Sequence, residues 1–433
     1  MNLLSAENEL KKFIPPVFPV CGRLTRSVGL LLQASGPPLP VGSTVSVDGV
    51  IAEVVGFGEE GLLLLAIEEA RRLKPGARVE PFRIKLRLGD WVMGRVLDGL
   101  GRPLDGKPMP AGGEEIEVAP SPAELGLRRP VEKPFDSGIR AINGLFTLGL
   151  GQKIGIFSMP GAGKSTLLAM MARASGAEAT VIALIGERGR EAREFIDELL
   201  GTKGLERSVV VVVTGDEPAP MRVKGAFLAT AIATWLRNKN RNVLLLMDSL
   251  TRVAMAQREI GLASGEPPTA RGYPPSVFAL VPRLVEQAGV FQTGSITGIY
   301  TILLHEEQDI VGELAKGALD GHIKLSSRLA QRGHYPAIDV LESVSRVAHR
   351  VTSLEHQRYR TRFVDLYSRW KEAEELIAIG TYVAGNHQLM DEAVAIHERL
   401  DGFLKQGLDE MISMEESVLQ LARALREDDA DTQ

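Results

Sequence analysis

The chain has 433 residues, 44% hydrophobic and 24% charged, with a formal net charge of −5. That length holds two or three domains with substantial cores, and the acidic balance argues against a general affinity for nucleic acid, which needs basic surface. A single cysteine, Cys21, excludes an internal disulfide framework and suits a reducing compartment.

No run approaches the ~20 apolar residues of a membrane span. The first residues lack the basic-then-apolar pattern of a signal peptide. Seven histidines are scattered without metal-ligand spacing. Leu3, Ala6, Leu10, Phe13 and Ile14 keep a helical spacing that Pro15 and Pro16 end, which predicts a helix over 1–17. Its plain reading is a frayed terminus. Its functional reading is a detachable helix that docks a partner.

From 18 to 88 the pattern turns to short β-like runs: Gly29–Leu32, Thr44–Val47, Ile51–Val55 and Leu62–Leu65. Gly36-Pro37-Pro38, Gly42, Gly56 and Pro75-Gly76 punctuate them, and regular short strands with turn signals predict a small barrel. A turn-rich connector, Gly89 to Leu127, leads into a region of alternating strands and helices that extends to 350. That alternation predicts a parallel sheet with helices on both faces. Its apolar strands are Thr180–Ile185, Val209–Val213, Val243–Met247 and Thr297–Leu304. Helical patterns fill 351–433: Phe363, Leu366 and Trp370 share one face, and Leu400, Phe403 and Leu404 another. Gly380 and Gly385 interrupt the run, and an acidic tail begins at Glu427.

The central region opens on Ser158-Met159-Pro160-Gly161-Ala162-Gly163-Lys164-Ser165-Thr166. A β-rich run, Lys153–Phe157, leads in, and Leu167, Leu168, Met170 and Met171 follow at helical spacing. Strand, Gly-rich loop and helix are the context of a phosphate-binding loop. Glycines let successive N–H groups face one anion, and the helix N-terminus adds its positive dipole end. Lys164 supplies a point charge for the β- and γ-phosphates, and the Ser165 hydroxyl can ligate Mg²⁺. Ser158 stands where the usual pattern has glycine.

Asp248 ends an apolar strand, and in a parallel sheet those ends face the ligand crevice. Alone it is as readily a helix N-cap; beside a phosphate loop it is a candidate Mg²⁺ carboxylate. Glu187, in Gly186-Glu187-Arg188-Gly189-Arg190-Glu191, follows another apolar strand and can orient water for attack on a γ-phosphate. The proline-rich loop Gly265–Pro275 has the length of a functional loop. Tyr335 is a candidate for stacking on a base, and Arg346 for stabilising charge in phosphoryl transfer.

These stretches together resemble the rotary-type hexameric ATPase family, and within it the ATPases of flagellar export and type III secretion. The likeness runs from about Gly22 to Leu421. It is carried by Ala183–Glu191, Asp248–Arg252, Ala256–Ala263, Gly265–Thr269, Asp320–Ile323 and Gly333–Asp339. The resemblance implies a small N-terminal β-barrel, a RecA-like catalytic domain and a C-terminal helical domain. It implies ATP and Mg²⁺ as cofactors, with Lys164 on phosphate, Ser165 and Asp248 on Mg²⁺, Glu187 positioning water with Arg188 beside it, and Tyr335 on adenine. Arg346 would reach the nucleotide of the neighbouring subunit.

The resemblance further implies a homo-hexameric ring at the cytoplasmic, inner face of the cell membrane. A stator or regulator protein would sit at the N-terminal helix, and export substrates and chaperones at the C-terminal domain. Export gate and stalk proteins complete the partners, with no nucleic acid. Asn143, His305–Asp309, Lys316 and Gly385-Asn386-His387 depart from the usual pattern. The expected function is ATP hydrolysis energising protein export, in a flagellum rather than an injectisome. A catalytic subunit of a rotary synthase and an RNA-translocating helicase are the alternatives; the acidic charge opposes the helicase.

Overall fold

The computed structural model describes residues 21–426 apart from 37, 60, 85, 119–124 and 305–308. The helix expected over 1–17 and the acidic tail from Glu427 lie outside the described residues. The chain divides into two compact units, residues 1–84 with 263–265, and residues 85–262 with 266–433.

Six strands close the first unit into a barrel: β1 (Gly22–Val28), β2 (Leu31–Ser35), β3 (Thr44–Val47), β4 (Val50–Gly58), β5 (Gly61–Ala66) and β6 (Arg78–Pro81). They pair in the order β1-β2-β5-β4-β3-β6, and β6 returns to β1. Leu32, Ala34, Val45, Val47, Ala52, Val54, Leu62 and Leu64 point inward at period two and make its core. Closure removes the free edges that invite aggregation. The run Gly29–Leu32 is not one strand. Gly29 and Leu30 form the β1–β2 turn, with Gly29 at φ +59°, and pairing starts at Leu31.

The second unit is built on a sheet whose main strands lie in the order Ile338–Ser345, Gly321–Leu325, Lys153–Ser158, Ser295–Leu303, Asn242–Asp248, Ala179–Glu187, Ser208–Thr214 and Val96–Leu97. Neighbours run parallel except the first two, which are antiparallel. Two short strands, Arg128–Arg129 and Gly289–Phe291, attach beside Ser295–Leu303. Every residue of Ala179–Glu187 is buried, as a strand covered by helices on both faces demands. Val96–Leu97, inside the expected connector, is a sheet-edge strand.

Three helices, Leu354–Ala378, Gln388–Leu404 and Met414–Ala424, follow the sheet. Gly380 and Gly385, both at positive φ, make the turn between the first two. Phe363, Leu366, Leu400, Phe403 and Leu421 share one core with Ala141, Ile142 and Leu145 of a short helix, Arg140–Leu145, ahead of the phosphate loop. Asn143, on that short helix, is fully buried and donates from Nδ2 to Asp136 Oδ1 at 2.8 Å. Among the described residues no helix is long and apolar enough to cross a membrane.

Candidate active site

The strand Lys153–Ser158 delivers the chain into the Gly-rich loop at the C-terminal edge of the sheet. Ser158 is the strand's last residue, buried, and its hydroxyl has no hydrogen-bond partner among the described residues. Gly161 and Gly163 take φ +80° and +81°, a region that side chains rarely tolerate, and the helix Lys164–Ala174 starts at once. Leu167, Leu168, Met170 and Met171 bury one face of that helix, which fixes its N-terminus over the loop. Lys164, Ser165 and Thr166 stand in the first turn, where unpaired N–H groups and the dipole favour an anion.

Parallel register brings two carboxylates to the same edge. Leu184 pairs with Asp248, so Glu187 stands three residues further along its own strand. Lys164 Nζ donates to Asp248 Oδ1 and, at 3.3 Å, to Glu187 Oε1. Asp248 is 1% exposed and Glu187 8%. Burial pushes the Glu187 carboxyl up; Lys164 opposes that shift, the Asp248 charge adds to it, and Arg252 opposes it. The balance leaves Glu187 above the ordinary glutamate value.

Two residues complete this cluster that motif reading gave no role. Arg252 Nη2 donates to Glu187 Oε2 at 3.3 Å, and its Nη1 donates to the Gly186 carbonyl. Thr301 Oγ1 donates to Asp248 Oδ1 at 2.8 Å. Gly186 sits at φ +77°, and a Cβ there would lie 2.8 Å from Arg252 Cδ, so glycine admits both the turn and the arginine stem. The available signal for Arg252 was its place one helical turn after Asp248. Thr301 gave none, because its contact is made across a sheet neighbour.

The remaining candidates separate. The Tyr335 ring rests against the loop, 3.2 Å from where a Gly163 Cβ would stand, and is 43% exposed. Arg188 points outward and pairs with Glu191 at 3.2 Å. Arg346 lies at the other end of the sheet. It follows an antiparallel strand in which Ser345 pairs with Gly321, whereas the loop end, Ser158, pairs with Leu325. Four residues of strand, roughly 13 Å, separate those levels. Its guanidinium donates to the carbonyls of Leu319 and Lys316 at 3.3 and 3.5 Å.

Residues 138–345 match the ATP synthase alpha/beta family, nucleotide-binding domain, and residues 352–423 match the T3SS EscN ATPase C-terminal domain. A flagellum-specific ATP synthase of Pseudomonas aeruginosa is 48% identical over 95% of this chain and 94% of its own. The chain belongs to the family of flagellar export and type III secretion ATPases. This export ATPase shares its fold with the assembled ATPase EscN of the enteropathogenic E. coli type III secretion system, at TM-score 0.89 and 40% identity, over 94% of this chain and 100% of that one. EscN in complex with its central stalk EscO superposes at TM-score 0.88 and 40% identity, with the same coverage. The activity of the export ATPase is ATP hydrolysis coupled to protein export. The C-terminal match favours that branch over a rotary synthase.

Proposed function

We propose that the export ATPase is a Mg²⁺-dependent enzyme working as a homo-hexameric ring at the cytoplasmic base of a flagellar export apparatus. The observation that carries this reading is the convergence of Lys164, Glu187 and Asp248 on one buried cluster at the mouth of the phosphate loop. Lys164 is the charge partner of the β- and γ-phosphates, and the loop N–H groups cradle them. Glu187 orients and polarises the attacking water. Its raised pKa moves a carboxylate toward operating pH, where a general base is most effective. Arg252 fixes one Glu187 oxygen, and Tyr335 offers a face for adenine beside Gly163.

Asp248 and Ser165 fit Mg²⁺. Asp248 Oδ2 has no protein partner among the described residues, and the Ser165 hydroxyl stands in the first helical turn, which together make an oxygen donor set of the kind this ion takes. When bound, the ion neutralises charge on the transferring phosphoryl group.

A ring around a stalk protein follows by likeness to EscN, whose structures are of the assembled ATPase and of its complex with a stalk. The flagellar preference rests on the run Gly29–Pro37. Residues 1–17 would dock a stator or regulator, and the C-terminal helices substrates and chaperones.

The test is Glu187→Gln. It keeps the size of the side chain and loses the charge, so ATP affinity by calorimetry holds while turnover falls about 10²- to 10⁴-fold. Loss of affinity with the fold intact overturns the assignment. Deleting residues 1–17 should preserve ATPase folding by circular dichroism and remove a co-purifying regulator. An unchanged set of partners refutes that docking role.

A further inference from the structure

Gln406 lies just past the helix Gln388–Leu404 and is 6% exposed, though it is a polar residue with no part in the phosphate cluster. Its backbone N–H donates to the Tyr335 carbonyl at 2.9 Å. Its side-chain oxygen accepts from the Arg140 N–H at 2.8 Å, and its amide nitrogen donates to the carbonyls of Gly138 and Glu410, both at 2.9 Å. One residue thereby joins the C-terminal helices to two separate places on the catalytic unit.

Both places touch the phosphate-loop helix. Tyr335 rests on Gly163, immediately before that helix. Gly138 is in such close contact with Ala174, the helix's last residue, that a Cβ on it would lie 2.4 Å from the Ala174 Cβ. Arg173 strengthens the second grip, donating to the Leu408 carbonyl at 2.5 Å and to Asp409 at 3.1 Å. The turn Gln406–Glu410 therefore holds the helix at both ends. A buried amide whose two donors and carbonyl oxygen are all engaged is costly to displace, so a shift of the turn drags Tyr335 with it.

We propose that Gln406 is a positioning residue for Tyr335, and that through it the C-terminal helices set the affinity of the site for the nucleoside end of ATP. This rests on the reading of Tyr335 as the adenine neighbour. Docking on the C-terminal helices that moves this turn changes how tightly ATP is held and leaves the chemistry at Glu187 alone.

The experiment uses the full chain as wild type, Gln406→Ala, Tyr335→Ala and the double variant. KM and kcat are measured with Mg²⁺-ATP, and affinities for ATP and for inorganic tripolyphosphate, which lacks a base, by calorimetry. Gln406→Ala keeps the backbone bond to Tyr335 but frees the turn that aims it, and should weaken ATP about 3- to 10-fold, with kcat and tripolyphosphate affinity unchanged. The double variant should bind ATP no more weakly than Tyr335→Ala alone, because one effect acts through the other. Equal weakening of ATP and tripolyphosphate, or additive losses, overturns the proposal while leaving the Tyr335 reading standing. Unchanged ATP affinity in Tyr335→Ala overturns that reading and the proposal together. Should Gln406→Ala fail to fold, Gln406→Met carries the same test, since it fills the same space and loses the bonds to Arg140, Gly138 and Glu410.

Discussion

Glu187 is an acid placed where ionisation is resisted. Burial and the neighbouring Asp248 outweigh Lys164 and Arg252, and its folded-state pKa stands above the unfolded value. Two consequences follow at this scale. In catalysis, the acid limb of kcat/KM against pH, which reports the free enzyme, should lie above the ordinary glutamate pKa of about 4.3. A limb at the ordinary value would remove Glu187 from the role of base. In stability, a raised pKa means that the fold favours the protonated form. Its contribution is full below the unfolded pKa and is lost as pH rises through the folded one. Glu187→Gln does not titrate there. Its thermal midpoint relative to wild type should therefore climb as pH rises above the ordinary glutamate value of about 4.3, and a flat difference would contradict the shift. Lys164, Glu187 and Asp248 were legible in the sequence because each ends a strand or opens a helix, and strand ends of a parallel sheet share an edge. Arg252 and Thr301 were not, because reach between elements depends on register, which sequence spacing does not encode.

Arg140 shows how one side chain ties an element in place. Its guanidinium donates to the Phe403 carbonyl at 2.7 Å, to Gly402 at 3.1 Å, to the Lys405 carbonyl, and to Gln420 Oε1 at 2.6 Å. It thus caps the orphan carbonyls at the end of the helix Gln388–Leu404 and reaches the next helix, Met414–Ala424. Arg140→Ala should cost about 3 kcal/mol, the sum of several charge-assisted bonds less relaxation. Denaturant unfolding measures that loss, and hydrogen exchange should place it in the last two helices. Arg140→Lys should fail to restore it, because a single ammonium cannot imitate the fork. Elements of this unit were legible in proportion to their burial. Ala179–Glu187, Ser208–Thr214 and Asn242–Asp248 are apolar on both faces and read as strands directly. Gly321–Leu325 alternates buried with half-buried positions, and Ile338–Ser345 carries the exposed pair Leu341 and Glu342 in mid-strand. Short polar-bearing runs of that kind resemble loops until the sheet they join is known, and Val96–Leu97 is too short to announce itself.

At the scale of the whole molecule the decisive fact is that Arg346 and the phosphate loop occupy opposite ends of one sheet. Phosphoryl transfer spreads negative charge over the γ-oxygens, and an arginine from outside the loop can stabilise it. Arg346 is exposed, and among the described residues two carbonyls hold its guanidinium. Roughly 13 Å of strand stands between it and its own loop, more than an arginine side chain spans. If it serves catalysis, the nucleotide it serves belongs to another copy of the chain. Specific activity should then rise with protein concentration as rings assemble. Arg346→Ala should bind ATP and assemble yet be nearly inactive, and Lys164→Ala should be inactive through its own site. Mixing the two should restore partial activity, because some interfaces pair an intact Lys164 with an intact Arg346. The measurement is hydrolysis by the mixture, after cross-linking has verified that mixed rings form. If those rings are no more active than either variant alone, and dilution leaves wild-type specific activity unchanged, Arg346 does not act between subunits.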